Sequence, residues 1–137
     1  MDETLSNTLE PGASTPLQRM QLVRQLKNEG FLTGVNAIPV LPFISDTEEE
    51  LEKIIASAKQ HEADYVLVGS LTLFGNGVAD SKTLYYKFLK KHYPSFIEEY
   101  NKLYGDKFYT PFSYQHQLKE KANRICKKYE IRNSIIE

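Results

Sequence analysis

Gly34-Val-Asn-Ala-Ile-Pro-Val-Leu-Pro-Phe-Ile-Ser-Asp46 and Asp64-Tyr-Val-Leu-Val-Gly-Ser-Leu-Thr-Leu-Phe-Gly75 are the two stretches that decide the fold. Each starts as an apolar run of strand length and then passes into proline, glycine and small polar residues. The segment between them is long enough for the helix that a parallel β-α-β crossover needs. The sequence therefore predicts two parallel strands, at about residues 32–38 and 64–71, with a ligand-binding edge at their carboxyl ends.

The flanking residues predict where the first helices begin and end. Thr15 is placed to cap a helix over residues 16–29, with Gln18 in capping-box spacing. Asp46 or Thr47 is expected to cap the second helix, and Pro39 and Pro42 are expected to stop the first strand. The second strand is a continuous apolar run, which is typical of strands covered by helices on both faces of the sheet.

The region after Gly75-Asn-Gly77 predicts three helices with many aromatic residues. Their expected ranges are 82–92, 94–104 and 113–129, with a capping box formed by Ser95 and Glu98. The chain is thus divided into β/α units over residues 1–79 and a helical basic, aromatic extension over residues 80–137 that packs on them. The fold class is α/β, and a sheet of only two parallel strands is expected to be incomplete because both its edges lack a partner.

Composition limits the classes of protein that the chain can belong to. Its 137 residues, 41% of them hydrophobic, suffice for a buried core. One cysteine, Cys126, leaves no internal disulfide and too few thiolates for a cysteine-ligated metal. No apolar run approaches the ~20 residues of a membrane span, and the Met1-Asp-Glu-Thr start lacks the features of a signal peptide. We therefore expect a cytoplasmic protein without a membrane partner.

Charge is distributed unevenly along the chain. Residues 1–79 hold five Lys/Arg and eleven Asp/Glu, whereas residues 80–137 hold twelve and seven. The basic half interleaves lysines with tyrosines and phenylalanines, a pattern that suits phosphate binding and base stacking. The same aromatic spacing also suits a packed helical cap with a solvated face, and both interpretations stay open. The candidate nucleic-acid-binding residues are Lys87, Lys90, Lys91, Arg124, Lys127 and Lys128.

Patterns typical of catalysis are scarce. His61, His92 and His116 are scattered among charged residues, and Gly69-Ser70 lacks the second glycine of a nucleophile elbow. Gly75-Asn-Gly77 is not followed by the Lys-Ser/Thr of a phosphate-binding loop. The acidic run Glu48–Glu50 is explained by its place in the first turn of a helix. The sequence therefore predicts no catalytic residue and no metal ligand.

The order and spacing of several short motifs resemble one protein family. The motifs are Leu9-Glu-Pro-Gly12, Pro16-x-x-Arg19, Leu26-x-x-x-Gly30, Gly34-Val-x-x-x-Pro39-Val-Leu-Pro42-x-x-x-Asp46 and Asp64-Tyr-Val-Leu-Val-Gly69. Together they resemble the later part of radical S-adenosylmethionine proteins of the spore photoproduct lyase and DNA repair photolyase-like group. The likeness covers about residues 5–75 well and the helical tail more loosely.

This resemblance implies a fold and a set of cofactors. The chain would be the C-terminal part of an incomplete (β/α) barrel, a partial TIM barrel, supplying its fifth and sixth strands. In that family a 4Fe-4S cluster cleaves S-adenosylmethionine to a radical that abstracts hydrogen from the substrate. By position, one side of the cofactor pocket would consist of Asn36, Ala37, Ile38, Pro39 and Val40. The neighbouring side of the pocket would consist of Val68, Gly69, Ser70 and Leu71.

The chain departs from the family at the cluster. It has no Cys-x3-Cys-x2-Cys motif, and its single cysteine lies near the far end of the sequence. The expected function is therefore to contribute part of a cofactor pocket, without a cluster or catalysis of its own. The expected partner is a separate chain carrying the rest of the barrel, or a second copy pairing at the sheet edges. The alternative is a non-catalytic module that binds nucleic acid or a partner through its basic, aromatic helices.

Overall fold

The computed structural model describes residues 15–135, arranged as five α-helices and one two-stranded sheet. In chain order the elements are α1 (Pro16–Asn28), β1 (Gly34–Val40), α2 (Glu48–Gln60), β2 (Tyr65–Ser70), α3 (Ser81–His92), a 3-10 turn (Pro94–Phe96), α4 (Ile97–Tyr104) and α5 (Phe112–Lys128). The predicted α/β class and the helical C-terminal region are confirmed. The Leu9-Glu-Pro-Gly12 motif lies outside the described residues.

Local signals account for the first two helices. The Thr15 hydroxyl accepts a hydrogen bond from Gln18 N, and the Gln18 side chain accepts one from Thr15 N, which completes the predicted capping box. Thr47, rather than Asp46, caps α2 by accepting from Glu50 N. Three glutamates lie in the first turn of α2, where the positive end of the helix dipole stabilises negative charge.

The two strands are parallel, as predicted, but β1 extends further than expected. Gly34 pairs with Tyr65, and the ladder continues to Ala37 and Val68 before an irregularity that leads to the pairing of Val40 with Ser70. Pro39 therefore lies within β1, and the prediction that it ends the strand was wrong. Proline is tolerated here because it sits at the register shift, where the ladder is already interrupted.

Helices cover one face of this sheet. Val35, Ala37, Val66 and Val68 face a core formed with α1, α2 and α5, in which Leu51, Ile55 and Ile125 are buried. On the opposite face Asn36 and Ile38 are exposed and Leu67 is half-buried. The expectation that helices cover both faces was wrong for the described chain, because α1, α2 and α5 all contribute to the same cluster.

A second hydrophobic cluster lies beyond the carboxyl ends of the strands. Leu41 and Leu73, from the segments that follow β1 and β2, pack there against α3 and α4. The core tyrosines of this cluster are Tyr85, Tyr100 and Tyr104, and all three are buried. Helix α5 instead packs on the sheet, where Leu118, Ile125 and Cys126 join the first cluster.

The predicted capping box of the fourth helix is absent. Residues Pro94–Phe96 form a 3-10 turn, so α4 begins at Ile97 with Phe96 at its N-cap, and no side chain makes a cap hydrogen bond. Ser95 therefore precedes the N-cap position that the box requires. None of the helices within residues 15–135 combines the length and apolar character needed to cross a membrane.

Candidate functional site

The nine residues that the sequence singled out lie on neighbouring strand segments. Ala37 pairs directly with Val68, and Val40 pairs with Ser70, so the segments 36–40 and 68–71 run side by side. Asn36, Ile38 and Pro39 are exposed, whereas Val40 is only 2% exposed and points into the core. The exposed members can meet a ligand with their side chains, while Val40 can offer only its backbone.

Two separate cavities divide these residues between them. Ile38, Val68, Gly69 and Ser70 line a cavity of about 480 Å³ at the β2 side of the sheet. Asn36 and Ala37 line a second cavity of about 320 Å³ between β1 and α1. Pro39, Val40 and Leu71 line neither of them. Within the described chain, the predicted residues therefore form a continuous strand surface but not one enclosed pocket.

The loop that follows β1 is held by a network of hydrogen bonds. Asp46 accepts from Phe43 N at 3.1 Å and from the Tyr114 hydroxyl at 2.6 Å, and Ser45 Oγ accepts from Leu41 N at 2.7 Å. Phe43 adopts a φ of 65°, in the left-handed region that most side chains avoid. The Asp46 carboxylate thus fixes a tight turn at the carboxyl end of β1.

Tyrosines from α4 attach the helical region to both strand ends. The Tyr100 hydroxyl donates to the carbonyl of Pro42 at 2.6 Å, and the Tyr104 hydroxyl donates to the carbonyl of Leu71 at 2.5 Å. The Tyr85 and Tyr100 hydroxyls lie 2.8 Å apart. The carbonyls of Pro42 and Leu71 are therefore both paired. Helices α3 and α4 form a cap over the carboxyl ends of the two strands.

Ser70 has a buried partner in the loop before α5. Its Oγ lies 2.8 Å from Thr110 Oγ1, and Thr110 is fully buried. Nearby, Leu73 N donates to the carbonyl of Phe108 at 2.7 Å. Ser70 is thereby held in one orientation at the end of β2.

Burial keeps the hydroxyls of the cap protonated. Burial raises the pKa of Tyr85 to about 12 and raises the pKa values of Tyr100 and Tyr104 above the usual range. Burial and the neighbouring Asp46 carboxylate raise the pKa of Tyr114 in the same direction. These hydroxyls act as hydrogen-bond donors at neutral pH.

The candidate nucleic-acid-binding residues lie on two helices. Lys87, Lys90 and Lys91 are exposed on α3, and Lys127 is exposed on α5. Arg124 and Lys128 instead make ion pairs with α2, at 2.6 Å to Glu48 and 2.5 Å to Glu52. Most of the tyrosines interleaved with these cations are packed in the second cluster, so few of them remain for base stacking.

The described residues offer no metal centre. No group of three or more His, Cys, Asp or Glu side chains between residues 15 and 135 is arranged to hold a metal ion. Cys126 is 2% exposed in the core, and burial raises the pKa of its thiol to about 11. His61 contacts the carbonyl of Ser57 at 2.7 Å, and His116 contacts Glu120 at 3.1 Å on the surface of α5.

Sequence reasoning missed the contacts that hold the strand ends. Thr110, Tyr100, Tyr104 and Tyr114 reach partners between 33 and 68 residues away along the chain. No spacing rule connects such positions. The one available signal was the excess of tyrosines after residue 80, since a buried tyrosine hydroxyl generally needs a partner.

Comparisons with known proteins give relatives of greater length. The chain is 28% identical over 130 residues to "Uncharacterized protein Mb2609c" of Mycobacterium bovis and to "Uncharacterized protein Rv2578c" of Mycobacterium tuberculosis. The match covers 95% of this chain but only 37% of each relative. No family model and no solved structure matches the chain. The chain is thus similar to a little over a third of longer mycobacterial proteins.

Proposed function

We propose that this chain is the C-terminal part of a radical S-adenosylmethionine-type protein and forms one wall of its cofactor pocket. The observation that carries the proposal is the pairing of the segments 36–40 and 68–71 in parallel strands. Asn36 and Ile38 are exposed on the face that the helices of residues 15–135 leave uncovered. A partial barrel has the same division, with helices outside and ligand-facing residues inside. The resemblance of the strand motifs and the greater length of the relatives support it.

The residues present fit an adenosyl group in part and do not fit an iron-sulfur cluster. Ile38 and Gly69 offer an apolar surface to a purine, and the exposed Asn36 amide can both donate and accept hydrogen bonds. S-adenosylmethionine, when bound, would supply the radical precursor. A cluster requires three thiolates, whereas the chain has one buried cysteine. This chain would therefore bind and orient the adenosyl group and exclude water from it, without catalysing the reaction.

Nuclear magnetic resonance titration with S-adenosyl-L-homocysteine tests this proposal. We expect the amide signals of residues 36–39 and 68–70 to shift and the binding to weaken in Asn36→Ala. The matched control is Asn101→Ala, because Asn101 is exposed on α4 in the helical cap. Shifts confined to other regions, or equal binding by the two variants, would overturn the cofactor wall. A stable iron-sulfur cluster formed by this chain alone with iron and sulfide would contradict the proposal that this chain does not hold the cluster.

A second candidate function is a non-catalytic module that binds nucleic acid. One observation favours it: Lys87, Lys90 and Lys91 are exposed together on the last two turns of α3. Cations that neutralise phosphates release counterions, so the affinity for single-stranded DNA should fall steeply with salt. Replacing all three lysines by glutamine should abolish this binding. Unchanged binding by that variant, or none by the wild type at low salt, would remove this candidate.

A further inference from the structure

A groove runs along the edge of β2 that faces away from β1. Part of this edge is already paired, because Val66 N donates to the carbonyl of Arg132 at 2.9 Å and Tyr65 forms a parallel bridge with Arg132. After Arg132 the chain bends through residues 133–135. No third strand among residues 15–135 pairs with the rest of this edge, from Leu67 to Ser70.

One stripe of α5 forms the opposite wall of the groove. Phe112, Gln115, His116 and Lys119 are spaced at i, i+3, i+4 and i+7, so they share one face of the helix. From Phe112 to Lys119 this stripe spans ~10 Å, at 1.5 Å per residue. Together with Leu67–Ser70 and Ile38 it encloses the cavity of about 480 Å³.

The chemistry of both walls suits an added strand. The N–H and C=O groups of successive residues in a strand point to opposite edges of the strand. The amide and carbonyl of Val68 therefore point to the same edge as Val66 N and face the groove. Phe112 is 85% exposed and Ile38 is 48% exposed, which leaves apolar surface beside these polar groups. Lys119 places a cation at the end of the stripe.

We propose that this groove binds an extended peptide, which continues along β2 in the parallel direction that Arg132 begins. At ~3.3 Å per residue, about three residues fit along the ~10 Å stripe. The backbone of the peptide pairs with Val68, an apolar side chain contacts Phe112, and a carboxylate lies near Lys119. Backbone pairing supplies affinity and the side-chain contacts supply selectivity. The groove shares Ile38, Val68, Gly69 and Ser70 with the proposed cofactor wall. Peptide binding to it requires no cofactor.

The probe for this site is a phage-displayed library of random seven-residue peptides, selected on the full chain. We expect the selected peptides to alternate apolar and polar residues and to carry an acidic residue. A synthetic selected peptide should bind about tenfold more weakly to Phe112→Ala and to Lys119→Gln, a loss of ~1.4 kcal/mol in each case. Lys127→Gln is the matched control, because Lys127 is exposed on α5 outside the groove, and its affinity should be unchanged.

Backbone methylation distinguishes strand addition from other forms of binding. N-methylation of the peptide amides that face β2 should abolish binding, and peptide binding should protect the Val68 amide from hydrogen exchange. A peptide that binds equally well after methylation does not pair its backbone with β2, which would overturn the proposal. Failure to enrich any sequence, or an equal loss in Lys127→Gln, would also overturn it. Circular dichroism of each variant checks that the fold is retained.

Discussion

Single hydroxyl groups from the helical region determine how the strand ends are held. Tyr100 is fully buried, and its hydroxyl contacts both the Pro42 carbonyl and the Tyr85 hydroxyl. Thr110 is also fully buried, and its hydroxyl forms a hydrogen bond with the hydroxyl of Ser70. Removing one partner of a buried hydrogen bond leaves the other without compensation, which is the costly case. The strand-end loops therefore depend on a few atoms contributed from distant parts of the chain.

Tyr100→Phe should lower the free energy of unfolding by about 1–3 kcal/mol, because the Pro42 carbonyl loses its buried donor. Urea denaturation followed by circular dichroism measures this change. Tyr109→Phe is the matched control, because Tyr109 is 42% exposed, and it should change the free energy by less than about 0.5 kcal/mol. Equal effects of the two substitutions would contradict the role assigned to Tyr100.

The Cys126 thiol should be inert in the folded protein. It is 2% exposed, and burial raises its pKa to about 11, so both access and thiolate formation are suppressed at pH 8. A thiol reagent such as Ellman's reagent should react with Cys126 only at the rate of unfolding in buffer, and at once in denaturant. Rapid reaction in buffer at pH 8 would show that α5 does not pack on the sheet as described.

At the scale of elements, α1 is fixed to the start of β2 by one carboxylate. Asp64 accepts from Lys27 Nζ at 2.8 Å and from Thr33 N at 2.8 Å, and it lies at the opposite end of the sheet from the tyrosine cap. These two hydrogen bonds, led by the one from Lys27, lower the pKa of Asp64 below its ordinary value of 3.8. Both donors favour the ionised carboxylate in the folded state.

Asp64→Asn should lower the free energy of unfolding at pH 7 by about 1–2 kcal/mol. A lowered pKa in the folded state means that the stabilisation is complete above pH 3.8 and is lost as the pH falls through the folded value. The difference between wild type and variant should therefore shrink below about pH 4. Urea denaturation at pH 7, 5 and 3 measures it, with the exposed Asp106→Asn as control. A pH-independent difference would refute this account.

At the scale of the whole molecule, two hydrophobic clusters share the strand-end segments. The first joins the sheet to α1, α2 and α5, and the second joins residues 41–44 and 71–73 to α3 and α4. Four tyrosines near the strand ends have raised pKa values: Tyr85, Tyr100 and Tyr104 of the cap, and Tyr114 of α5. In the unfolded chain each of them ionises near its ordinary value of 10.0. The protein should therefore be sensitive to alkaline conditions.

Stability should fall as the pH rises above 10, because the unfolded chain then releases phenolic protons that the folded protein retains. The contribution of these tyrosines to stability is complete below pH 10. It is lost as the pH rises towards their pKa values in the folded protein, and the pKa of Tyr85 is about 12. Thermal unfolding between pH 8 and pH 11.5 measures this, with the ultraviolet absorbance of phenolate as a second probe. Tyr85→Phe/Tyr100→Phe should show a shallower dependence. An identical slope would contradict the assignment.

The sequence by itself determined the elements whose signals are local. Thr15, Gln18 and Thr47 specify helix starts through contacts within one turn, and the two apolar runs specify the strands and their parallel pairing. Local rules failed at Pro39, where a register shift lets β1 continue, and at Ser95, where a 3-10 turn moves the start of α4. Their outcome depends on neighbours that are distant in sequence.

Only the tertiary structure decided what surrounds the strand ends. It paired Tyr100 and Tyr104 with two strand-end carbonyls and placed Ser70 against Thr110. It also left one face of the sheet uncovered by the helices of residues 15–135. It also set the stripe of α5 opposite the edge of β2 that faces away from β1. These contacts join residues brought together by burial of the two clusters, and burial is a property of the whole chain rather than of any motif.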